Sequence, residues 1–311
     1  MGGGTARVAG LAGLAAVVVA APLALVAASA PAPAPPRGVV EVVAAENFWG
    51  SIAAQVGGRR VRVASIVARP GADPHDYEPT AADARAVAEA RLVIVNGLGY
   101  DVWASQLVAA SGTHPVVLDV GSLLGLRPGA NPHRWYDPGD VRRVAAAIAT
   151  DLSRVDPGAA GAFQEGARRF ESVDLRGVDA LLAEIRARFA GTPVGASESI
   201  FSLLAPALGL RVLTPASFLR AVSEGAEPSP ADQATIAAQI ARREIAVYVY
   251  NTQNEIPVVQ RQLDACRRAG IPTVPITETL VPPSATYQAW QARQLRALLA
   301  ALEAARARST R

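Results

Sequence analysis

Two loops of this chain each place a histidine beside prolines, an arrangement suited to binding a metal ion. Residues 73–79 (DPHDYEP) contain His75, and residues 131–138 (NPHRWYDP) contain His133 next to aromatic residues. A neighbouring proline restricts the backbone, so the imidazole is presented in one direction before any ion arrives. A lone histidine in a polar loop is more often an ordinary surface residue, so neither loop establishes a site by itself.

Two glutamates in the second half of the chain, Glu198 and Glu278, each follow a predicted strand. In parallel α/β folds, ligands bind beyond the carboxyl ends of the strands, where the loops converge. Together with His75 and His133, these glutamates form a set of two imidazoles and two carboxylates that can bind a divalent transition metal between the two halves. Considered alone, Glu198 is equally well explained as an acid at the start of a helix, and Glu278 as a solvated loop acid.

The elements that must position these residues alternate between short apolar strands and amphipathic helices. Strands are expected at residues 39–45, 61–67, 92–95, 115–120, 193–197, 211–213, 245–250 and 273–276. Helices are expected at about 48–56, 81–88, 101–110, 139–153, 200–208, 231–243, 258–269 and 284–307. Thr80 and Asp83 have the spacing of a capping box at the start of the second helix. This order predicts an α/β fold of two lobes, each a mostly parallel four-stranded sheet flanked by helices.

The segment from residue 157 to 190 predicts a stiff connector between the two lobes. Its apolar residues recur three or four positions apart, which indicates one long helix, or two nearly collinear helices interrupted near Gly177. At about 1.5 Å per residue it spans roughly 50 Å. The predicted organisation is therefore an N-terminal segment at 1–37, an N-terminal lobe at 38–156, the connector at 157–190 and a C-terminal lobe at 191–311.

The first 37 residues resemble an export signal followed by a Pro/Ala-rich spacer. An apolar run fills residues 8–30, and residues 31–36 are proline and alanine. The run is also close to the length that spans a bilayer, so a retained N-terminal anchor is the competing interpretation. Either interpretation predicts an exported protein, located in the periplasm or on the extracellular face of the cytoplasmic membrane.

Composition and the remaining distinctive residues narrow the function further. The net charge is only +3, and all 30 basic residues are arginines scattered among acids, so we expect no nucleic-acid partner.

The single cysteine, Cys266, lies on a predicted amphipathic helix and is assigned to packing, and His114 is expected at the surface. Three tryptophans are expected in the core or on a cleft wall, namely Trp49, Trp103 and Trp135. Three acids near the histidines are either acceptors for imidazole N–H groups or exposed, namely Asp76, Glu78 and Asp137.

Six motifs occur in an order that carries a family resemblance. They are residues 46–52 (ENFWGSI), 73–79 (DPHDYEP), 95–100 (VNGLGY), 131–138 (NPHRWYDP), 250–253 (YNTQ) and 277–279 (TET). In this respect the chain resembles the zinc/manganese-binding solute-binding proteins of bacterial ABC importers. The resemblance implies two lobes joined by a rigid long helix, with one metal ligand from each of four loops. These ligands fall on His75, His133, Glu198 and Glu278, with Asn251 or Glu255 as competitors for the last.

The expected function is capture of a divalent metal outside the cytoplasmic membrane and its delivery to the permease of an ABC importer. The protein is expected to be a monomer and not an enzyme, with no catalytic cofactor. Two nitrogen and two carboxylate ligands favour Mn²⁺ or Fe²⁺, although Zn²⁺ binds more tightly at most such sites. Manganese is therefore placed ahead of zinc as the cargo, with Fe²⁺ as a further candidate.

The chain departs from the family pattern in two ways, and two other functions compete with metal delivery. The chain has only His114 where many zinc-dedicated members carry a histidine-rich loop, and it has no cysteine near the N-terminal segment to carry a lipid. A secreted metallohydrolase is the first alternative, but it needs a general base beside an open metal position, and no His-Glu-x-x-His sequence is present. The second alternative is an adhesion or scaffold protein in which the metal has only a structural role.

Overall fold

Eight parallel strands of the described chain form two four-stranded sheets of the same topology. The strands are β1 (Val40–Glu46), β2 (Val61–Val67), β3 (Leu92–Val95), β4 (Val116–Asp119), β5 (Pro193–Ala196), β6 (Arg211–Val212), β7 (Val247–Asn251) and β8 (Thr273–Ile276). Their order is β2-β1-β3-β4 in the first sheet and β6-β5-β7-β8 in the second, and every pairing is parallel. The predicted class, two α/β lobes with mostly parallel sheets, is confirmed.

Twelve α-helices, counted over the residues that the structure describes, flank the sheets. They are α1 (Asn47–Gly57), α2 (Ala81–Glu89), α3 (Val102–Ala110), α4 (Val120–Leu123), α5 (Pro138–Val155), α6 (Ala160–Arg169), α7 (Arg176–Phe189), α8 (Ala205–Leu208), α9 (Ala216–Ser223), α10 (Pro230–Ala241), α11 (Pro257–Ala269) and α12 (Tyr287–Ser309). The capping box predicted at the start of α2 is present, because the Thr80 side chain accepts from Asp83 N and Asp83 accepts from Thr80 N.

The computed structural model describes residues 1–4, 38–69 and 77–309. His75 therefore lies outside the described residues, as does the predicted signal or anchor at 1–37 apart from its first four residues. Gly38–Arg311 is one compact unit. The limits predicted for the two lobes and the connector subdivide this unit and stay a prediction. None of the described helices combines the length and the apolar character needed to cross a membrane.

The connector region contains one irregularity, and it lies N-terminal to Gly177, where an interruption was expected. Between α6 and α7, residues Phe170–Asp174 form a π-helical turn, and Leu175 N donates to Phe170 O at 3.0 Å, five residues back. A π-turn inserts one extra residue into the helix without ending it. The chain is therefore helical through most of residues 160–189, and the irregularity expected near Gly177 lies just before it.

Two elements differ from the sequence prediction for identifiable reasons. The helix expected at 200–208 is a 3₁₀ turn at Ser199–Leu203 followed by the short α8. Pro206 cannot donate a backbone hydrogen bond and its ring crowds the preceding turn, so one continuous α-helix cannot pass through it. Helix α9 was not predicted, and β7 ends one residue later than expected, which makes Asn251 its last residue.

One hydrophobic core joins the two halves of the chain. Phe48 of α1 stacks on Trp135 with ring centroids 3.9 Å apart, and Tyr136 packs edge-on against Trp290 of α12 at 5.5 Å. All four rings are fully buried and belong to the same cluster, together with Leu280 from the loop after β8. Contacts of this kind bury large apolar areas at the junction. The two sheets therefore share this core, and each half adds a smaller hydrophobic cluster of its own.

Buried hydrogen bonds reinforce this junction. Asn47 and Leu280 exchange two of them, because Leu280 N donates to Asn47 Oδ1 at 2.9 Å and Asn47 Nδ2 donates to Leu280 O at 3.4 Å. The Tyr287 hydroxyl donates to Trp135 O at 2.7 Å, and the Tyr136 hydroxyl lies 2.8 Å from Thr277 O. Opening the halves would break these bonds in an apolar environment, which is costly.

We predict that Tyr136→Phe lowers the free energy of unfolding by about 0.5–1.5 kcal/mol, because it removes the hydroxyl that donates to the half-buried Thr277 carbonyl. The measurement is urea unfolding followed by circular dichroism. Tyr250→Phe is the matched control, because that hydroxyl is half-buried and makes no hydrogen bond to any described residue. Equal stabilities of the two variants would contradict the role assigned to the junction.

Candidate metal centre

The residues of the candidate site lie where strands end. Glu198 follows β5, Asn251 ends β7 and Glu278 follows β8, so all three are at the carboxyl edge of the second sheet. From the first half, His133 comes just before a 3₁₀ turn at Arg134–Tyr136 that leads into α5. Because parallel strands end at the same edge, a sheet of this topology brings these loops together.

Three of the four predicted ligands lie together. His133, Glu198 and Glu278 each offer a ligand atom, and these atoms all lie within 4.8 Å of one another. The residues are buried, with exposed fractions of 1 %, 1 % and 6 %. An imidazole and two carboxylates from both halves of the chain suit a divalent transition metal. The fourth predicted ligand, His75, lies outside the described residues and stays a prediction.

The ring of His133 is oriented by its neighbours. Its Nδ1 lies 2.8 Å from Asn131 Oδ1 and 3.3 Å from Ser199 Oγ. Asn131 Nδ2 in turn donates to Ser199 O at 2.8 Å. An acceptor at Nδ1 places the proton there, so the lone pair is on Nε2, which lies 4.0 Å from Glu278 Oε1. The asparagine preceding Pro132 therefore fixes the tautomer, a role that sequence reasoning did not assign.

Neutral donors surround the two glutamates. Asn251 Nδ2 donates to Glu198 Oε1 at 2.6 Å and to Glu278 Oε1 at 2.8 Å. Asn254 Nδ2 donates to Glu198 Oε2 at 2.8 Å, and the Tyr100 hydroxyl donates to Glu278 Oε2 at 2.7 Å. Asn251 thus faces both carboxylates through its N–H groups, which donate hydrogen bonds and cannot coordinate a metal ion.

The other residues that the sequence singled out lie at the surface, in a helix cap or in the core. Asp137 caps α5 by accepting from Gly139 N and Asp140 N, so it is not an acceptor for an imidazole. Glu78, Glu255 and His114 are exposed, and Asp76 lies outside the described residues. The three tryptophans named above are buried in the core, and Cys266 is buried in a cluster of the second half, as expected for packing.

A second pair of buried acids is Glu46 and Asp101, and the charge of Glu278 acts on Glu46. Burial raises the pKa of Glu46 well above its usual range, and the charge of Asp101 and a hydrogen bond to it raise that pKa further. Asp101 accepts from Asn96 N at 2.6 Å and Gly97 N at 2.8 Å, and burial still raises its pKa to about 6. No N–H or O–H of the described residues donates to either Glu46 oxygen. Of the two acids, Glu46 is the one whose protonated form burial favours more strongly.

The fold and this cluster define a class of protein with two parallel α/β sheets and a candidate metal centre to which both halves of the chain contribute. The match to one family is direct: the chain belongs to the family described as zinc-uptake complex component A periplasmic (ZnuA), whose family model matches residues 42–301. The resemblance inferred from the six motifs is confirmed.

Similar proteins carry names that refer to manganese and iron. The manganese-binding lipoprotein MntA of Halalkalibacterium halodurans is 31% identical over 136 residues, which cover 42% of this chain and 45% of the relative. The iron-binding protein YfeA of Yersinia pestis is 27% identical over 182 residues, covering 54% of this chain and 53% of the relative. The chain thus spans about half the length of these curated relatives.

A solved structure shows the same fold. The Mn-bound periplasmic metal binding protein from Candidatus Liberibacter asiaticus is 18% identical, with a TM-score of 0.70. The match covers 84% of this chain and 98% of that one. At this level of identity the comparison shows only that the two proteins share a fold.

We predict that Glu46→Gln removes part of the pH dependence of stability. The pKa of Glu46 is higher in the folded state than in the unfolded state, so the folded state binds the extra proton. This contribution is fully present below about pH 4.3, the ordinary pKa of a glutamate, and is lost as the pH rises through the folded-state pKa.

The variant mimics the protonated acid, so its free energy of unfolding should rise relative to the wild type as the pH increases. Urea titrations of chelator-treated protein, from about pH 4.3 upwards, measure the difference in free energy of unfolding between the variant and the wild type. A difference that does not change with pH would show that Glu46 is not protonated in the folded state.

Proposed function

We propose that this protein captures a divalent transition metal outside the cytoplasmic membrane and delivers it to the permease of an ABC importer. The observation that carries the proposal is the buried cluster of His133, Glu198 and Glu278, in which both halves of the chain contribute ligand atoms. His75 is the proposed fourth ligand. The family membership supports the same conclusion, because the family is named for a component of zinc uptake.

The ligand set bears on which metal is the cargo. One imidazole and two carboxylates, completed by the imidazole of His75, give equal numbers of nitrogen and oxygen ligands. Oxygen-rich sets suit Mn²⁺ and Fe²⁺, whereas the Irving–Williams order makes Zn²⁺ bind more tightly at a given site. We propose Mn²⁺ as the cargo ahead of Zn²⁺, which agrees with the metal named for one relative.

Capture is better supported than catalysis. A catalytic zinc site keeps an open position for water, whereas four protein ligands leave no such obligatory position. A hydrolase also needs a free carboxylate as general base, but both glutamates of the cluster already accept hydrogen bonds on each oxygen. We therefore propose a binding protein; that it acts as a monomer stays a prediction.

We predict that His133→Ala raises the dissociation constants for Mn²⁺ and Zn²⁺ by about a hundredfold or more, since losing even the hydrogen-bond partner of a ligand costs about 10–100-fold. His75→Ala should have a similar effect. Isothermal titration calorimetry on the full chain measures both constants. The matched control is His114→Ala, because His114 is exposed and precedes β4, at the edge of the first sheet opposite to the carboxyl ends of the strands.

Wild-type affinity in His133→Ala would contradict the site, and wild-type affinity in His75→Ala would remove that residue from the ligand set. Protein stripped of metal should stay folded, because the shared core does not depend on an ion. Unfolding on metal removal would favour the structural-metal alternative, since structural sites couple binding to folding.

We predict only a small compaction when metal binds. The junction between the halves contains buried hydrogen bonds and stacked rings that a large hinge motion would break. Release would then depend on small movements of loops or lobes. Small-angle X-ray scattering with and without metal tests this, and a large decrease in the radius of gyration would contradict it.

A further inference from the structure

The order of strands in the second sheet puts Asn251 between the two glutamates of the cluster. β7 lies between β5 and β8, and Asn251 is its last residue. Glu198 follows β5, and Glu278 follows β8. The side chain is completely buried, with an exposed fraction of 0 %. The sheet therefore delivers one amide to a position from which both carboxylates are within reach.

The amide group uses its full donor capacity there. A primary amide has two N–H bonds, and Asn251 Nδ2 directs them to Glu198 Oε1 at 2.6 Å and Glu278 Oε1 at 2.8 Å. The orientation is fixed from the other side, because Asn251 Oδ1 accepts from Gln253 N at 2.9 Å. Turning the amide over would lose that bond and point an acceptor at two acids.

For Glu278, this Oε1 atom is also the one that faces the predicted ligand His133. Glu278 Oε1 lies 4.0 Å from His133 Nε2, while the Oε2 atoms accept from Tyr100 and Asn254. A carboxylate oxygen has more than one lone-pair site, so Oε1 can accept from the amide and still coordinate an ion. Each glutamate is thereby oriented to present one oxygen.

We propose that Asn251 is a positioning residue for metal capture. Its two N–H groups hold one oxygen of Glu198 and one of Glu278 side by side, although the two charges repel each other. The ion then meets ligands that are already oriented, so little reorganisation opposes binding. This inference rests on the proposed function and adds the residue that organises the C-terminal half of the site.

Three variants of the full chain test the proposal. Asn251→Leu keeps the branching at Cγ but has no donor, Asn251→Ser keeps one donor, and Thr252→Ala on the same turn is the control, because Thr252 is exposed and its hydroxyl contacts Ile276 O. Circular dichroism establishes that each variant folds. Calorimetry then gives the dissociation constant for Mn²⁺, and electron paramagnetic resonance reports the symmetry of the bound ion.

The expected order of affinity follows the number of donors. Asn251→Leu should weaken Mn²⁺ binding about 10–100-fold, as loss of groups that orient ligands does, with Asn251→Ser between it and the wild type. The resonance spectrum of Mn²⁺ bound to either variant should differ from that of the wild type, and Thr252→Ala should change neither measurement.

Two results would overturn the proposal in distinguishable ways. If the wild type binds Mn²⁺ and a folded Asn251 variant binds equally well with an unchanged spectrum, Asn251 does not position the ligands. Asn251→Ser decides this even if the leucine variant does not fold. If the wild type binds neither Mn²⁺ nor Zn²⁺, the proposed function fails together with this inference.

Discussion

Glu198 and Glu278 are buried close together, and burying two like charges is unfavourable unless hydrogen bonds or a positive charge offset it. The structure supplies neutral donors for all four oxygens, from Tyr100, Asn251 and Asn254. Neutral donors orient the acids but add no positive charge. A divalent cation between these oxygens and His133 would supply it, which is why this arrangement favours an ion as the ligand.

The scaffold accounts for the position of each participant. Parallel strands end at one edge of the second sheet, and the order β6-β5-β7-β8 puts Asn251 between the loops that contain the glutamates. The first half contributes His133, whose ring is oriented by Asn131, and the Tyr100 hydroxyl, which donates to Glu278. Phe48 and Trp135 stack within a core common to both halves, and this packing fixes the loops that present these groups. Rigidity of this kind suits binding followed by release through small movements.

Local patterns in the sequence predicted much of the fold. The limits of β2 and β3 and the capping box of α2 follow from apolar runs and from residue types three positions apart. Strand ends likewise pointed to Glu198 and Glu278. The roles of Asn131, Tyr100 and Asn251 could not be predicted in this way, because Tyr100 and Glu278 are 178 positions apart in the chain. Such contacts depend on how the two sheets pack, which no local pattern contains.

The claim that both halves bind one ion is tested most directly by a crystal structure of the full chain with Mn²⁺, using anomalous scattering to locate the metal. We expect one strong peak coordinated by His133, Glu198 and Glu278, with His75 completing the set and Asn251 still donating to both carboxylates. A peak whose ligands come from only one half of the chain, or no peak at this cluster in protein that binds Mn²⁺ in solution, would contradict it.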